Sequence, residues 1–483
     1  MSKLMKQTQT AKKYLWINGQ KVETNSYSPL FSPYSGEEIA QVAMGDEEQT
    51  KEAVTAAYNA QDIIGKMPAY QRAEILENAV TLLKERSLEA AEIISLESAK
   101  PIKFAKAEVA RTIETYKFSA EEAKRVYGET LPMDAAEGGI GRFGYTVREP
   151  LGVIGAITPF NFPLNLVAHK VGPAIAAGNP IVLKPASQTP LSALFIGEIF
   201  KEAGLPEGVL NIVTGPGSAV GETIVKDERV SMVTFTGSPS VGIGIRNKAG
   251  LKKTTLELGS NSALIVDKDI DIDTLIDRCI MGSFSNQGQV CISLQRIYVH
   301  EDSYDTFINT FTEAAKKLHV GDPLDAKTYV SSLISKKETD RVLKWIKEAE
   351  SKGAVVLTGG SLQDGILEPT IITEASSDLK VSCQEVFGPV VVVNKVKTVS
   401  EAIKLVNDSR YGLQAGIYSS SLENAATASR ELQVGGVIIN DVPTYRVDHM
   451  PYGGLKESGT GREGIRYAVE EMTEMKLVVW NQR

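Results

Sequence analysis

Short apolar runs at Val153–Thr158, Ile181–Leu183, Val209–Val213 and Met232–Phe235 alternate with stretches of helical spacing at Leu166–Ala177, Leu191–Ala203 and Ala219–Val225. Strands that are apolar almost throughout belong in a sheet covered on both faces, and intervening helices supply that cover. The rhythm predicts an α/β chain built on a parallel sheet.

A second unit of the same kind follows. It has a helix near Ile272–Phe284, a strand near Ile297–Val299, and helices near Tyr304–Leu318 and Lys337–Ser351. A strand at Val355–Leu357 and an apolar run at Val390–Val393 complete it. Ahead of both units, Glu47–Gly128 reads as mostly helical, because Ala53, Val54 and Ala57, then Ile75, Leu76, Val80, Leu82 and Leu83, recur at helical spacing. A longer helix runs from about Ile102 to Val126, with Gly128 as its stop. Glycines and the alternating Tyr145-Thr146-Val147-Arg148 predict a hairpin within Gly128–Glu149 that stays out of the main sheet. Met475–Trp480 is an apolar strand that can join this hairpin in a separate layer between subunits. At 483 residues the chain exceeds one ordinary core, so two or three domains are expected.

Composition removes several function classes. A net charge of -8 without a basic face argues against nucleic-acid binding. Cys279, Cys291 and Cys383 are too scattered for a disulfide framework. The histidines His169, His300, His319 and His449 are isolated, there is no H-E-x-x-H, and no metal is expected. Met1–Lys13 is polar and basic, unlike a secretory signal. The longest uncharged stretch, Leu151–Ala168, is interrupted by Pro159, Asn161, Pro163 and Asn165, so it reads as strand, loop and helix rather than a membrane span. A cytoplasmic protein with reduced thiols is expected.

Several short segments carry chemistry. Gly288-Gln289-Val290-Cys291 places a cysteine after a polar turn, where an accessible nucleophile and a buried inert thiol are both open. Glu257-Leu258-Gly259 sets a carboxylate in a strand-like apolar run, either a general base of raised pKa or an edge-strand glutamate. In Thr158-Pro159-Phe160-Asn161-Phe162-Pro163 an amide between prolines can donate to an oxyanion or serve a turn. Lys184-Pro185-Ala186-Ser187 and Phe235-Thr236-Gly237-Ser238 follow strands, and Gly215-Pro216-Gly217 with Gly221 narrowly misses G-x-G-x-x-G. Glycines at strand-to-helix turns let backbone N–H groups approach a pyrophosphate.

In this order and spacing, with Glu385-Val386-Phe387-Gly388-Pro389 and Pro451-Tyr452-Gly453-Gly454-Leu455-Lys456, the motifs resemble the aldehyde dehydrogenase superfamily over about residues 14 to 480. The resemblance implies a Rossmann-like cofactor domain (1–127 and 150–257), an α/β catalytic domain (258–465) and a β oligomerisation arm (128–149 and 466–483). It implies Cys291 as nucleophile, Asn161 as oxyanion donor and Glu257 as the base that hydrolyses a thioester. Relatives that acylate coenzyme A lack that glutamate. NAD or NADP would be held by Thr158, Pro159, Phe160, Lys184, Ser187, Gly217, Gly237, Ser238, Leu258, Glu385 and Phe387. Many NAD-preferring relatives carry glutamate at the Ser187 position, so serine there makes NADP acceptable. A homodimer or homotetramer is implied.

Arg111 and Arg446 resemble the positions where non-phosphorylating glyceraldehyde-3-phosphate dehydrogenases place substrate arginines, and guanidinium forks suit oxyanions. Those enzymes carry another arginine where this chain has Val290. A small anionic or 2-hydroxylated aldehyde is expected, as in lactaldehyde and sulfolactaldehyde dehydrogenases, with Arg111, His169, Ile292 and Arg446 around it. Structural ion pairs for the arginines, a core role for His169, and a broad-range, semialdehyde or aromatic substrate remain the alternatives. A thiol hydrolase would need a histidine for Cys291 and no cofactor motifs, and a non-catalytic relative would not keep Cys291, Glu257 and Asn161 together.

Overall fold

A computed structural model describes residues 11–482. Most of Met1–Lys13, the segment compared above with a secretory signal, lies outside the described residues.

The first apolar rhythm folds into an eight-stranded sheet. Its five central strands are parallel and lie in the spatial order Lys253–Glu257, Val230–Thr236, Val153–Ile157, Ile181–Lys184, Leu210–Ile212. In chain order this is the nucleotide-binding arrangement whose direction of winding reverses beside the first strand. Ligands bind at such a switch point, off the carboxyl ends of the strands. The segments that leave those ends here begin at Thr158, Pro185 and Gly237. Gly459–Thr460 pairs antiparallel with Lys253–Glu257, so a late segment of the chain closes one edge.

Helix Asn165–Ala177 is buried at every position, between the sheet and helix Ile102–Ala123. Its apolar composition follows from that double cover. The predicted helical N-terminal region consists of Glu47–Gly65, Ala69–Glu85, Ser87–Ser98 and Ile102–Ala123. Asp46 and Gln49 form a reciprocal capping box at the start of the first. The long helix stops at Ala123, three residues before the expected Val126. The stretch expected as a helix at Ala219–Val225 is helical, as a wide π-type turn, Gly217–Gly221, running into the α-helix Glu222–Lys226.

A second, seven-stranded sheet has the order Val355–Thr358, Thr370–Thr373, Val390–Val396, Arg296–His300, Ala263–Val266, Gln414–Tyr418, Gly436–Ile439. All but its first strand run parallel. A separate sheet joins Thr130–Leu131, Arg142–Pro150 and Thr473–Asn481, the last two in continuous antiparallel register from Thr473↔Pro150 to Asn481↔Arg142. The C-terminal strand thus finds its partner more than three hundred residues earlier in the chain. No helix among the described residues is long and apolar enough to cross a membrane.

Candidate active site

Helix Ile272–Phe284 ends at a tight turn, Ser285–Gly288, in which Asn286 and Gln287 both have left-handed backbones (φ 50° and 55°). Such residues are strained, and persist where surrounding contacts hold them. Gln287 Nε2 donates to the carbonyls of Ala99 and Ser332, each at 2.9 Å, and Ile334 N–H donates to Gln289 Oε1 at 3.0 Å. Gly288 (φ +69°) lies so close to the Gly388 carbonyl that a Cβ would come within 2.1 Å of it. This pinned turn delivers Cys291, half-buried, just ahead of strand Arg296–His300. Burial pushes the Cys291 thiol up to about 11, opposed by the Tyr452 hydroxyl and the Arg446 cation. Cys279 lies within its helix, fully buried.

Asn161 faces this turn from the first sheet. Its Nδ2 donates to the Gln289 carbonyl at 3.0 Å, which fixes the amide and leaves one of its two N–H donors available. Its own carbonyl is held by Lys100 Nζ (2.7 Å) and Asn286 Nδ2 (3.1 Å). Lys100 is fully buried and pairs with the equally buried Glu108, whose Oε1 accepts the N–H groups of Leu164 and Asn165 at 2.9 and 3.1 Å.

Glu257 ends strand Lys253–Glu257 at the carboxyl edge of the first sheet. It is 3% exposed, and neither carboxylate oxygen has a hydrogen-bond partner. Burial, reinforced by the nearby Glu463 charge, holds its pKa well above the usual carboxylate range. Glu463 behaves in the opposite way. Burial works against its charge, but Lys170 and Arg446 outweigh burial and hold it at about 2. Lys170 Nζ meets Glu463 Oε1 at 3.1 Å, and Arg446 Nη2 meets Oε2 at 3.0 Å. Two buried carboxylates are thereby driven apart, one kept ionised and the other disposed to hold a proton.

On the other side of the first sheet's switch point lies a cleft of about 410 Å³ lined by Ile157, Lys184, Gly217, Ser218, Phe235 and Lys248, among others. Burial lowers the Lys184 ammonium to about 8, and its one hydrogen bond is to the Pro185 carbonyl at 2.9 Å. Ser187 Oγ donates to the Gly215 carbonyl at 3.3 Å. Ser238 stands exposed before helix Pro239–Lys248, whose free N–H groups face an approaching phosphate. Glu385 is half-buried, its pKa is pushed up to about 7 by desolvation, and it accepts the Ser260 N–H at 2.9 Å. Gly259 leaves room for it, since a Cβ there would fall 2.4 Å from Glu385 Oε2. Phe160 and Phe387 meet edge to face at 5.7 Å, joining the segments around Asn161 and Glu385. Gly237 N–H donates to the Glu257 carbonyl at 3.0 Å, and Leu258 packs over Gly242. Lys184 and helix Pro239–Lys248 border this cleft, and together with the Glu385 carboxylate the donor set fits a dinucleotide.

A smaller cavity, about 230 Å³, opens over the cysteine and is lined by Lys100, Glu108, Arg111, Phe162, Cys291, Ile292, Arg446 and Tyr452, among others. Arg111 forms a two-pronged pair with Asp448 (Nη2–Oδ1 2.7 Å, Nε–Oδ2 3.2 Å). Arg446 lies 3.7 Å from the centre of the Tyr452 ring, and its Nε is buried without a partner. His169 does not line the cavity. It is 1% exposed, and its Nε2 bonds to Asp448 Oδ1 at 2.8 Å, so it stands behind the wall as a support for Arg111. Lys100, Glu108, Lys170, Asp448, Tyr452 and Glu463 also stand at or behind the site, and sequence spacing alone does not place them there. One of them had a legible signal: Lys170 is a lone charge in the apolar helix Asn165–Ala177, and a buried charge needs a partner.

The aldehyde dehydrogenase family pattern matches residues 16–478, and the chain belongs to that family. It is an oxidoreductase that acts on aldehydes with NAD or NADP. The chain is 46% identical over 474 residues to the 3-sulfolactaldehyde dehydrogenase of Priestia aryabhattai, covering 98% of this chain and 99% of that one. It is 41% identical over 472 residues to the lactaldehyde dehydrogenase of Methanococcus aeolicus, with 97% and 99% covered. Among solved structures, the glyceraldehyde-3-phosphate dehydrogenase of Methanocaldococcus jannaschii complexed with NADP superposes with a TM-score of 0.91 at 40% identity, covering 95% of this chain and all of that one.

Proposed function

We propose that the chain oxidises a small anionic or 2-hydroxylated aldehyde, of the sulfolactaldehyde or lactaldehyde kind, to its carboxylate, with Cys291 as nucleophile. The observation that carries this reading is one small cavity that brings together the Cys291 sulfur and the guanidinium groups of Arg111 and Arg446. The unpartnered Nε–H of Arg446 is a donor still available to an anionic group. The 2-hydroxylated substrates of the two named relatives support the same size class.

In this reading the Cys291 thiolate attacks the aldehyde carbon, and the oxyanion is held by the free Asn161 N–H and a backbone N–H near Cys291. When bound, the nicotinamide supplies the acceptor for the hydride that leaves this carbon. Glu257 then takes the proton of a water that attacks the thioester, and the Cys291 thiolate leaves as the acid is released. Lys184 and Glu385 would hold the two riboses, with Ser187, Gly217, Gly237 and Ser238 towards the phosphates, and Thr158, Pro159, Phe160, Leu258 and Phe387 beside the nicotinamide. Residues 1–127 and 150–257 serve as the cofactor domain and 258–465 as the catalytic domain, which lends the eight-stranded sheet its edge strand Gly459–Thr460. The exposed Phe143, Met475, Leu477, Val479 and Trp480 of the small sheet support a subunit-joining arm. The three free thiols support a cytoplasmic setting.

The test is formation of reduced nicotinamide from sulfolactaldehyde, lactaldehyde, glyceraldehyde 3-phosphate, succinate semialdehyde and benzaldehyde, each with NAD and NADP. A preference for the anionic three-carbon aldehydes that collapses in Arg111→Ala supports the reading. Equal or better rates on benzaldehyde overturn it in favour of a broad-range enzyme.

A further inference from the structure

Tyr452 touches the reacting atom, yet nothing in the proposed chemistry uses it. Its hydroxyl lies 2.8 Å from the Cys291 sulfur. It is 2% exposed and stands on a rigid base, because its backbone exchanges two hydrogen bonds with Glu463 (Tyr452 N–H to Glu463 O 3.0 Å, Glu463 N–H to Tyr452 O 2.6 Å). Its ring is covered by the Arg446 guanidinium at 3.7 Å, and that cation is itself tied to the Glu463 carboxylate at 3.0 Å. The phenol is therefore fixed at its backbone, at its ring face and at its hydroxyl. A phenylalanine would fill the same wall, so the hydroxyl is the part that packing leaves unexplained.

We propose that Tyr452 is a further catalytic residue, whose hydroxyl donates to the Cys291 sulfur, favours the thiolate and holds it in the substrate cavity. The inference rests on Cys291 being the nucleophile. Burial raises the tyrosine hydroxyl well above its ordinary range, so it keeps its proton while the thiol gives one up to solvent. The phenol is then the donor and the sulfur the acceptor, a charge-assisted bond that favours the ionised form. The other groups that act on the sulfur are Arg446, which helps the thiolate, and Glu385 and Glu257, which oppose it. With two carboxylates set against one cation, a neutral donor in contact with sulfur adds stabilisation without adding charge. The cation over the ring also strengthens the phenol as a donor.

The experiment is alkylation of Cys291 by iodoacetamide in the full-length protein, followed by mass spectrometry of the Cys291 peptide so that Cys383 does not contribute. It is run across pH for wild type and Tyr452→Phe, with cofactor affinity as the check on folding. Tyr452→Phe is expected to alkylate about tenfold more slowly near neutral pH, with its pH profile displaced upward by about one unit, and to converge with wild type at high pH. Turnover should fall mainly in kcat. An unchanged alkylation profile overturns the proposal, whether or not KM moves, because a wall residue alters KM without altering the thiol. Cys291→Ala separates the two layers. Retained turnover there removes the nucleophile assignment, whereas lost turnover with an unshifted Tyr452→Phe profile removes only the hydrogen bond.

Discussion

Replacing Glu463 by glutamine isolates the electrostatics behind the site. Its carboxylate is held at about 2 against an ordinary 4.5, a displacement worth roughly 3 kcal/mol of stability at neutral pH. The same figure lies at the lower end of the ~3–5 kcal/mol expected for breaking a buried ion pair. Glutamine keeps the shape, but its amide hydrogens face either Lys170 or Arg446, and both cations lose their counter-charge. For a chain of 483 residues about 3 kcal/mol corresponds to a fall in unfolding midpoint of roughly 3 °C. The sign with pH is fixed by the depressed pKa. The stabilisation is fully present above pH 4.5 and is lost as pH falls from there towards about 2, so the gap between wild type and Glu463→Gln should close below pH 4.5. Scanning calorimetry of both proteins at neutral and acidic pH reads the effect. The substitution should also lower the Glu257 pKa, since Glu463 raises it and the freed Lys170 and Arg446 charges would depress it. A midpoint within about one degree of wild type at neutral pH would refute the argument, because a paired buried carboxylate cannot be neutralised at no cost.

Two further outcomes follow from the same geometry. Glu257→Gln should give a full burst of reduced nicotinamide and almost no steady state, and in wild type the thioester hydrolysis rate should climb as pH rises, since a carboxylate with a raised pKa gains its basic form only there; unchanged steady-state turnover, or a rate flat with pH, would contradict the base assignment. Gly288→Ala should destabilise the chain by about 2 kcal/mol or more and cut turnover, since the new Cβ meets the Gly388 carbonyl at 2.1 Å in a left-handed backbone; a wild-type melting curve with wild-type kcat would show that the turn does not set the position of Cys291.

The sequence by itself determined the local order. Ile272–Phe284 is helical over the expected residues because its apolar positions repeat at helical spacing, and Val153, Ile181, Leu210 and Val230 open strands because apolar runs that short suit a doubly covered sheet. The motifs around Asn161, Glu257 and Cys291 could be read because they are contiguous and stand in a fixed order. Strands such as Ala263–Val266, Thr370–Thr373 and Gln414–Tyr418 are not legible in the sequence, because a few residues of apolar chain carry no periodicity until a neighbouring strand supplies hydrogen bonds. Long-range contacts alone decided the rest: the register of Thr473–Asn481 against Arg142–Pro150, His169 behind Asp448, Lys170 and Arg446 on Glu463, and Tyr452 on Cys291. The physical reason is that burial and pairing set the charge state of these groups. A glutamate at 257 and a glutamate at 463 are the same residue type in sequence, and only the cations packed around one of them make it the ionised member.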